Sequence, residues 1–148
     1  MSDDSIKVLL LEDSAGDARL LKVSLAEATA TNFHVTHVER LSEALKLVGE
    51  QSYEIILSDL GLPDSHGLGT LSKLREHAPG VAIVVTTGLE DERVGVAAVR
   101  QGAQDYLVKG DLDAKTLARS LRHAIERRRT EDELQRAKRA AEAANKAK

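Results

Sequence analysis

Short apolar runs rich in β-branched residues recur along the first 110 positions, at residues 6–11, 33–38, 54–58, 81–86 and 105–108. Each has the length of a strand, and several are apolar without interruption, as expected for strands covered on both faces. The intervening stretches carry helical spacing. Leu41, Ala44, Leu45 and Val48 stand at i, i+3, i+4 and i+7, with Ser42 and Glu43 on the other face. Ala114, Leu117, Ala118, Leu121 and Ile125 form a comparable stripe. Pro63 and Gly67 lead into the third helical stretch, and Pro79-Gly80 separates it from the fourth strand. Five strand–helix pairs in strict alternation predict an α/β fold: a doubly wound parallel sheet with right-handed crossovers and helices on both faces. Functional groups in such sheets collect beyond the C-terminal ends of the strands.

The pattern changes after Ile125. Arg127-Arg128-Arg129 opens a run dominated by Ala, Glu, Lys and Arg that contains no Gly or Pro and favours helix at nearly every position. Leu134, Ala137, Ala141 and Ala144 recur at alternating three- and four-residue intervals, a heptad seam made mostly of alanine. Thr130 and Glu133 have the spacing of a capping box, where a separate helix could begin. The favoured reading is one continuous helix that pairs with a second copy. Residues 1–127 then form the domain, and residues 128–148 a helical extension.

A chain of 148 residues accommodates one such domain with an appendage, and is short for two. The net charge of −3 conceals an asymmetry: residues 126–148 carry eight positive and five negative charges, leaving the preceding part acidic. Neither nucleic acid nor an anionic membrane is an expected partner. Arg127-Arg128-Arg129 comes with no recognition motif or interleaved aromatic residues, so a solvated helix face is the simpler reading. Cysteine is absent, which excludes disulfides and thiolate metal sites and is compatible with a reducing compartment. The acidic start Met1-Ser2-Asp3-Asp4-Ser5 lacks the features of a signal peptide, and no stretch approaches the roughly 18 apolar residues that span a bilayer. A cytoplasmic protein without membrane insertion is expected. The five histidines have no metal-ligand spacing among them.

Four of the strand ends carry reactive or polar groups: Glu12-Asp13, Asp59, Thr86-Thr87 and Lys109. Adjacent carboxylates repel each other in a closed pocket unless they share a cation. Mg²⁺ suits them, because it takes hard oxygen ligands and is commonly held by one or two carboxylates plus a phosphate. With Asp59 as a third acid and a metal offsetting the charge of an incoming phosphoryl group, Asp59 can attack phosphorus as a carboxylate nucleophile. Lys109 offers a point charge to one phosphoryl oxygen, and the Thr87 hydroxyl a hydrogen bond to another. Blander roles stand beside these: Asp59 as a turn residue, and Glu12 or Asp13 as a cap of the first helix, with Ser14 and Asp17 as further capping candidates.

Leu9-Leu10-Leu11-Glu12-Asp13, Leu57-Ser58-Asp59-Leu60-Gly61-Leu62-Pro63, Val84-Val85-Thr86-Thr87-Gly88 and Asp105-Tyr106-Leu107-Val108-Lys109, in that order and spacing, resemble the receiver domains of two-component response regulators. The resemblance covers residues 6 to about 127. It implies a flavodoxin-like five-stranded sheet and phosphorylation of Asp59 by a phosphohistidine donor, either a histidine kinase or a histidine phosphotransfer protein. It also implies Mg²⁺ bound through Asp13, Asp59 and the backbone carbonyl of Gly61, with Glu12 acting mainly through metal-bound water. Thr87 rather than Thr86 matches the switch hydroxyl, because it directly precedes the small residue Gly88, and Tyr106 falls at the aromatic switch position. One departure is plain: Gly110 follows Lys109 where the family usually has proline, often cis, and a trans peptide is expected here. The tail resembles the helical linker that precedes the dimerisation helices of hybrid sensor kinases. Two alternatives stay open: a phosphohydrolase that uses an aspartyl-phosphate, against which Glu12-Asp13-Ser14-Ala15 lacks the usual DxD motif, and a receiver-like scaffold that accepts no phosphate.

Overall fold

Continuous apolar runs of strand length have nowhere to hide but between two layers of helices, and the computed structural model, which describes residues 5–29, 31–110 and 113–146, arranges them in that way. Strands β1 (Ser5–Leu11), β2 (Asn32–Val38), β3 (Ile55–Asp59), β4 (Ala82–Thr87) and β5 (Asp105–Val108) form one parallel sheet in the order β2-β1-β3-β4-β5. Helices α1 (Ala15–Ala26), α2 (Leu41–Glu50), α3 (Leu68–His77), α4 (Glu92–Arg100) and α5 (Ala114–Lys146) make up the covering layers. The predicted strands lie within one residue of those observed.

Alternation along each strand divides the core in two. Leu9, Leu11, Ile56, Ile83 and Val85 face α2, α3 and α4, through residues such as Ala44, Leu71, Leu74 and Ala98. Val8, Leu10, Ile55, Leu57 and Val84 face α1 and α5, through residues such as Leu21, Leu25, Leu117 and Leu121. Each large apolar side chain removed from water in this way contributes about 2 kcal/mol. The strand order reverses between β1 and β3, so the ends of those two strands open onto a common crevice.

Local chemistry fixes the helix starts. Ser14 caps α1, its hydroxyl accepting from the Asp17 N–H at 3.3 Å, so the capping role falls to Ser14 and leaves Glu12 and Asp13 free for other work. The side chain of Asp113 accepts from the Thr116 N–H at 2.7 Å at the start of α5. The loop after β3 contains a feature the hydrophobic pattern does not predict, a two-residue antiparallel ladder of Gly61–Leu62 with Ser65–His66 folded about Pro63-Asp64. At its tip Asp64 reaches across to α2 and accepts from the Leu41 N–H at 2.8 Å and the Ser42 N–H at 3.0 Å. Asp64 thus does for α2 what its own preceding residue, Arg40, does not.

Helix α5 runs without a break through Thr130, so no second helix restarts at the capping-box spacing. Its first turns are buried against the sheet. Where it leaves, Arg127 donates to the Gln104 carbonyl at 3.2 Å, the Gln104 amide donates to both oxygens of Glu131 at 3.3 and 3.2 Å, and Arg129 approaches Glu54 at 3.5 Å. Beyond Asp132 every described side chain is exposed, Leu134 included. Among the described residues no helix is long and apolar enough to cross a membrane.

Hydrogen bonds from the Ser42 N–H, and then the Leu41 N–H, hold the Asp64 carboxyl below the ordinary carboxylate range despite some desolvation. Because the folded value lies below the unfolded one, this contribution to stability is complete above the ordinary range and fades as pH falls through the depressed value. Asp64→Ala should lower the unfolding free energy in urea by about 1 kcal/mol near pH 7, and the gap between variant and wild type should narrow toward pH 3.

Candidate functional site

Parallel strands deliver their C-terminal ends to one edge of the sheet, and the ends of β1, β3, β4 and β5 meet here. Glu12 and Asp13 directly follow β1, Asp59 closes β3, and Lys109 directly follows β5. The Lys109 N–H donates to the Thr87 carbonyl at 2.8 Å, which locks the end of β5 beside the end of β4. The Glu12 backbone is held at both of its polar groups: its N–H donates to the Val38 carbonyl at 3.1 Å, and its carbonyl lies 2.7 Å from His37 Nε2.

Lys109 Nζ sits at the centre of the site, 2.8 Å from Glu12 Oε1, 2.9 Å from Asp59 Oδ2 and 3.2 Å from Asp17 Oδ2. Glu12 is wholly buried. Burial outweighs its hydrogen bonds from Lys109 and the Ser14 N–H, and leaves its carboxyl above the ordinary carboxylate range. For Lys109 the balance falls the other way: burial disfavours the ammonium, but the hydrogen bonds to Glu12 and Asp59 win and hold it above its usual value. The second oxygen of Asp59 accepts from the Gly61 N–H at 3.2 Å, and the Ser58 hydroxyl donates to the Asp59 carbonyl at 2.7 Å. Asp59 is therefore held in place from its own loop while it faces an open cavity.

That cavity has a volume of about 480 Å³, and its walls include Asp59, Gly61, Thr87, Gly88 and Lys109. Thr86 and Thr87 are both buried, and neither hydroxyl has a hydrogen-bond partner among the described residues. A buried hydroxyl without a partner is costly unless a ligand or water supplies one. Oxygens of Glu12, Asp13 and Asp59 approach within 4.8 Å of one another. A donor set made only of carboxylate oxygens, one of them buried, fits a hard divalent cation such as Mg²⁺.

Tyr106 lies one strand further out, its ring against α4 and its hydroxyl 3.5 Å from Glu92 Oε1. Gly95 makes that contact possible. A Cβ at position 95 would stand 2.5 Å from the Tyr106 ring, so the ring occupies the volume a side chain would take. Desolvation, then the adjacent Glu92 carboxylate, raise the phenol above its ordinary value. The Lys109–Gly110 peptide is trans, as expected, and Gly110 has φ +94°. Proline, fixed near φ −65°, cannot take that conformation. The departure from the family pattern thus coincides with a different course of the loop.

The sequence placed Glu12, Asp13, Asp59, Thr87, Gly88 and Lys109 at strand ends, and the fold brings them to one crevice; Tyr106 is set apart, within β5 with its ring against α4. Asp17 as a partner of Lys109 and Gly95 as the seat of Tyr106 escaped the sequence reading. The only signals for them were a carboxylate in the first turn of α1 and a glycine where a helix would favour alanine.

Lys109→Met removes the one cation that pairs with buried Glu12 among the described residues. In the absence of divalent ions it should cost about 2 kcal/mol in a urea titration, below the full penalty for breaking a buried pair because Lys109 retains some solvent, and Mg²⁺ should restore most of the loss. Gly95→Ala should leave the chain folded and displace the Tyr106 ring, seen as loss of the nuclear Overhauser contacts between that ring and α4.

Residues 8–122 match the family model described as the response regulator receiver domain. Among curated proteins, the transcriptional regulatory protein KdpE of Staphylococcus aureus is 33% identical over 103 residues, covering 70% of this chain and 43% of its own. SrrA, a transcriptional regulatory protein of the same species, is 34% identical over 105 residues, covering 71% and 42%. The chain thus spans less than half the length of these relatives. The crystal structure of the signal receiver domain of a LuxO repressor protein from Vibrio parahaemolyticus superposes with a TM-score of 0.73 at 25% identity, over 88% of this chain and 97% of that one. Sheet order, strand-end chemistry and these likenesses agree, and the chain belongs to the receiver domains of two-component response regulators.

Proposed function

We propose that Asp59 accepts a phosphoryl group from the phosphohistidine of a histidine kinase or a histidine phosphotransfer protein, and that the domain relays the change through α5. The meeting of Glu12, Asp13, Asp59 and Lys109 at one open crevice carries this reading. An Asp59 carboxylate oxygen bonds to phosphorus as the donor's P–N bond breaks, and the imidazole leaves with the electron pair. Glu12, Asp13, Asp59 and the Gly61 carbonyl are the groups that would hold Mg²⁺, which when bound offsets the negative charge of the phosphoryl group. Lys109 exchanges its bond to Asp59 for one to a phosphoryl oxygen. Thr87, beside Gly88 and tied to the Lys109 backbone, gives its unpartnered hydroxyl to another.

In this reading the domain is a signalling module of the cytoplasm. It promotes its own phosphorylation and hydrolysis, and no other reaction. Movement of Thr87 toward the phosphoryl group lets Tyr106 leave its seat on Gly95 and turn inward, which shifts a balance between two arrangements of α4, β5 and α5. The exposed seam of Leu134, Ala137, Ala141 and Ala144 pairs with the same seam of a second copy, and α5 acts as the linker it resembles.

Incubation with Mg²⁺ and a small acyl phosphate should add one phosphoryl mass to the wild-type chain and none to Asp59→Ala. Equal gain by both, or gain by neither, would refute the assignment. Light scattering should give a dimer for the full chain and a monomer after removal of residues 130–148; monomers in both cases would remove the paired helix.

A further inference from the structure

Asp17 has no place in the acceptor chemistry above, yet it shares the central ammonium. Three hydrogen bonds and one ion pair close a ring through it. The Ser14 N–H donates to Glu12 Oε2 at 3.2 Å, the Asp17 N–H donates to the Ser14 hydroxyl at 3.3 Å, and Lys109 Nζ donates to Asp17 Oδ2 at 3.2 Å. Lys109 Nζ then returns to Glu12 Oε1 at 2.8 Å. The ring joins the end of β1, the first turn of α1 and the residue after β5. Ser14 serves it twice, so the rotation of α1's first turn is set by the same residue that anchors Glu12.

Of the three carboxylates on Lys109, two belong to the acidic trio beside the cavity, and Asp17 stands outside it. A cation that engages Glu12 and Asp59 weakens their hold on the ammonium. Its effect on Asp17 is smaller, so Asp17 is left as the counter-charge that a phosphoryl group must displace.

We propose that Asp17 is a positioning residue that acts through Lys109: it draws the ammonium toward α1 and competes with the phosphoryl group for it, and so sets how tightly the phosphorylated state is held. This rests on the acceptor role of Asp59. The Asp17 side chain is 40% exposed, so the pair is screened and its influence is modest. Loss of the competing charge should strengthen binding of a phosphoryl mimic about two- to fivefold, the range such an ion pair supplies.

The test is calorimetric titration of the full chain with beryllofluoride at saturating Mg²⁺. Asp17→Asn keeps the side-chain shape and removes the charge. It should bind about two- to fivefold more tightly than wild type, and more tightly than Asp91→Asn, which takes a carboxylate from the wall of the same cavity without touching Lys109. In a Lys109→Met background the same substitution should change affinity by less than 1.5-fold, or roughly within error. An unchanged Asp17→Asn, an equal gain in Asp91→Asn, or a gain that persists without Lys109 would each overturn the role of Asp17 while leaving the acceptor reading intact. A wild-type chain that binds no beryllofluoride would remove the acceptor reading and this proposal together.

Discussion

One cation among carboxylates organises this molecule. Glu12 is fully buried, and a buried carboxylate is tolerable only with a positive charge against it. Lys109 provides that charge from across the sheet, and in doing so ties the first strand to the last. The requirement reaches further than one ion pair. It fixes the register at which β1 and β3 end, because Leu11 and Ser58 lie side by side before the chain releases Glu12 and Asp59. It also keeps the backbone after β5 tethered to Thr87. The crevice is negative by construction, and whatever enters it must bring positive charge or exchange places with Lys109.

Much of this was legible in the sequence. Five continuous apolar runs left little choice but a parallel sheet with two covered faces, and the strand ends followed from counting. Asp59, Glu12, Asp13 and Lys109 were conspicuous because polar groups directly after buried strands are few. The contacts that escaped join residues with no local signature. Lys109 and Asp17 are separated by 92 positions, and Asp64 caps a helix that begins 23 positions earlier. Periodicity reports which face of an element is buried, but not which loop residue crosses to which helix end. Gly95 was invisible for a related reason: a missing side chain has meaning only once a ring is seen in its place.

The same distinction applies to the tail. Its helical character was plain from composition, whereas its continuity with the domain depends on α5 being anchored along one face as far as Asp132. Arg127, Glu131 and Arg129 grip Gln104 and Glu54 at the edge of the sheet opposite the acidic crevice. Gln104 also donates its N–H to the Ile83 carbonyl at 2.7 Å, and it stands two residues before Tyr106. Strand β5 is thereby connected to the crevice at one end and to the departing helix at the other.

Such an attachment gives the free part of α5 the mechanics of a lever. Residues 133–146 extend about 20 Å past the last anchored turn, at 1.5 Å per residue. A tilt of about 10° at the pivot on Gln104 would carry the tip through roughly 3–4 Å. Stiffness, not sequence, would then set how far a change of one charge is felt, and a single glycine placed just beyond Asp132 would act as a joint that absorbs it.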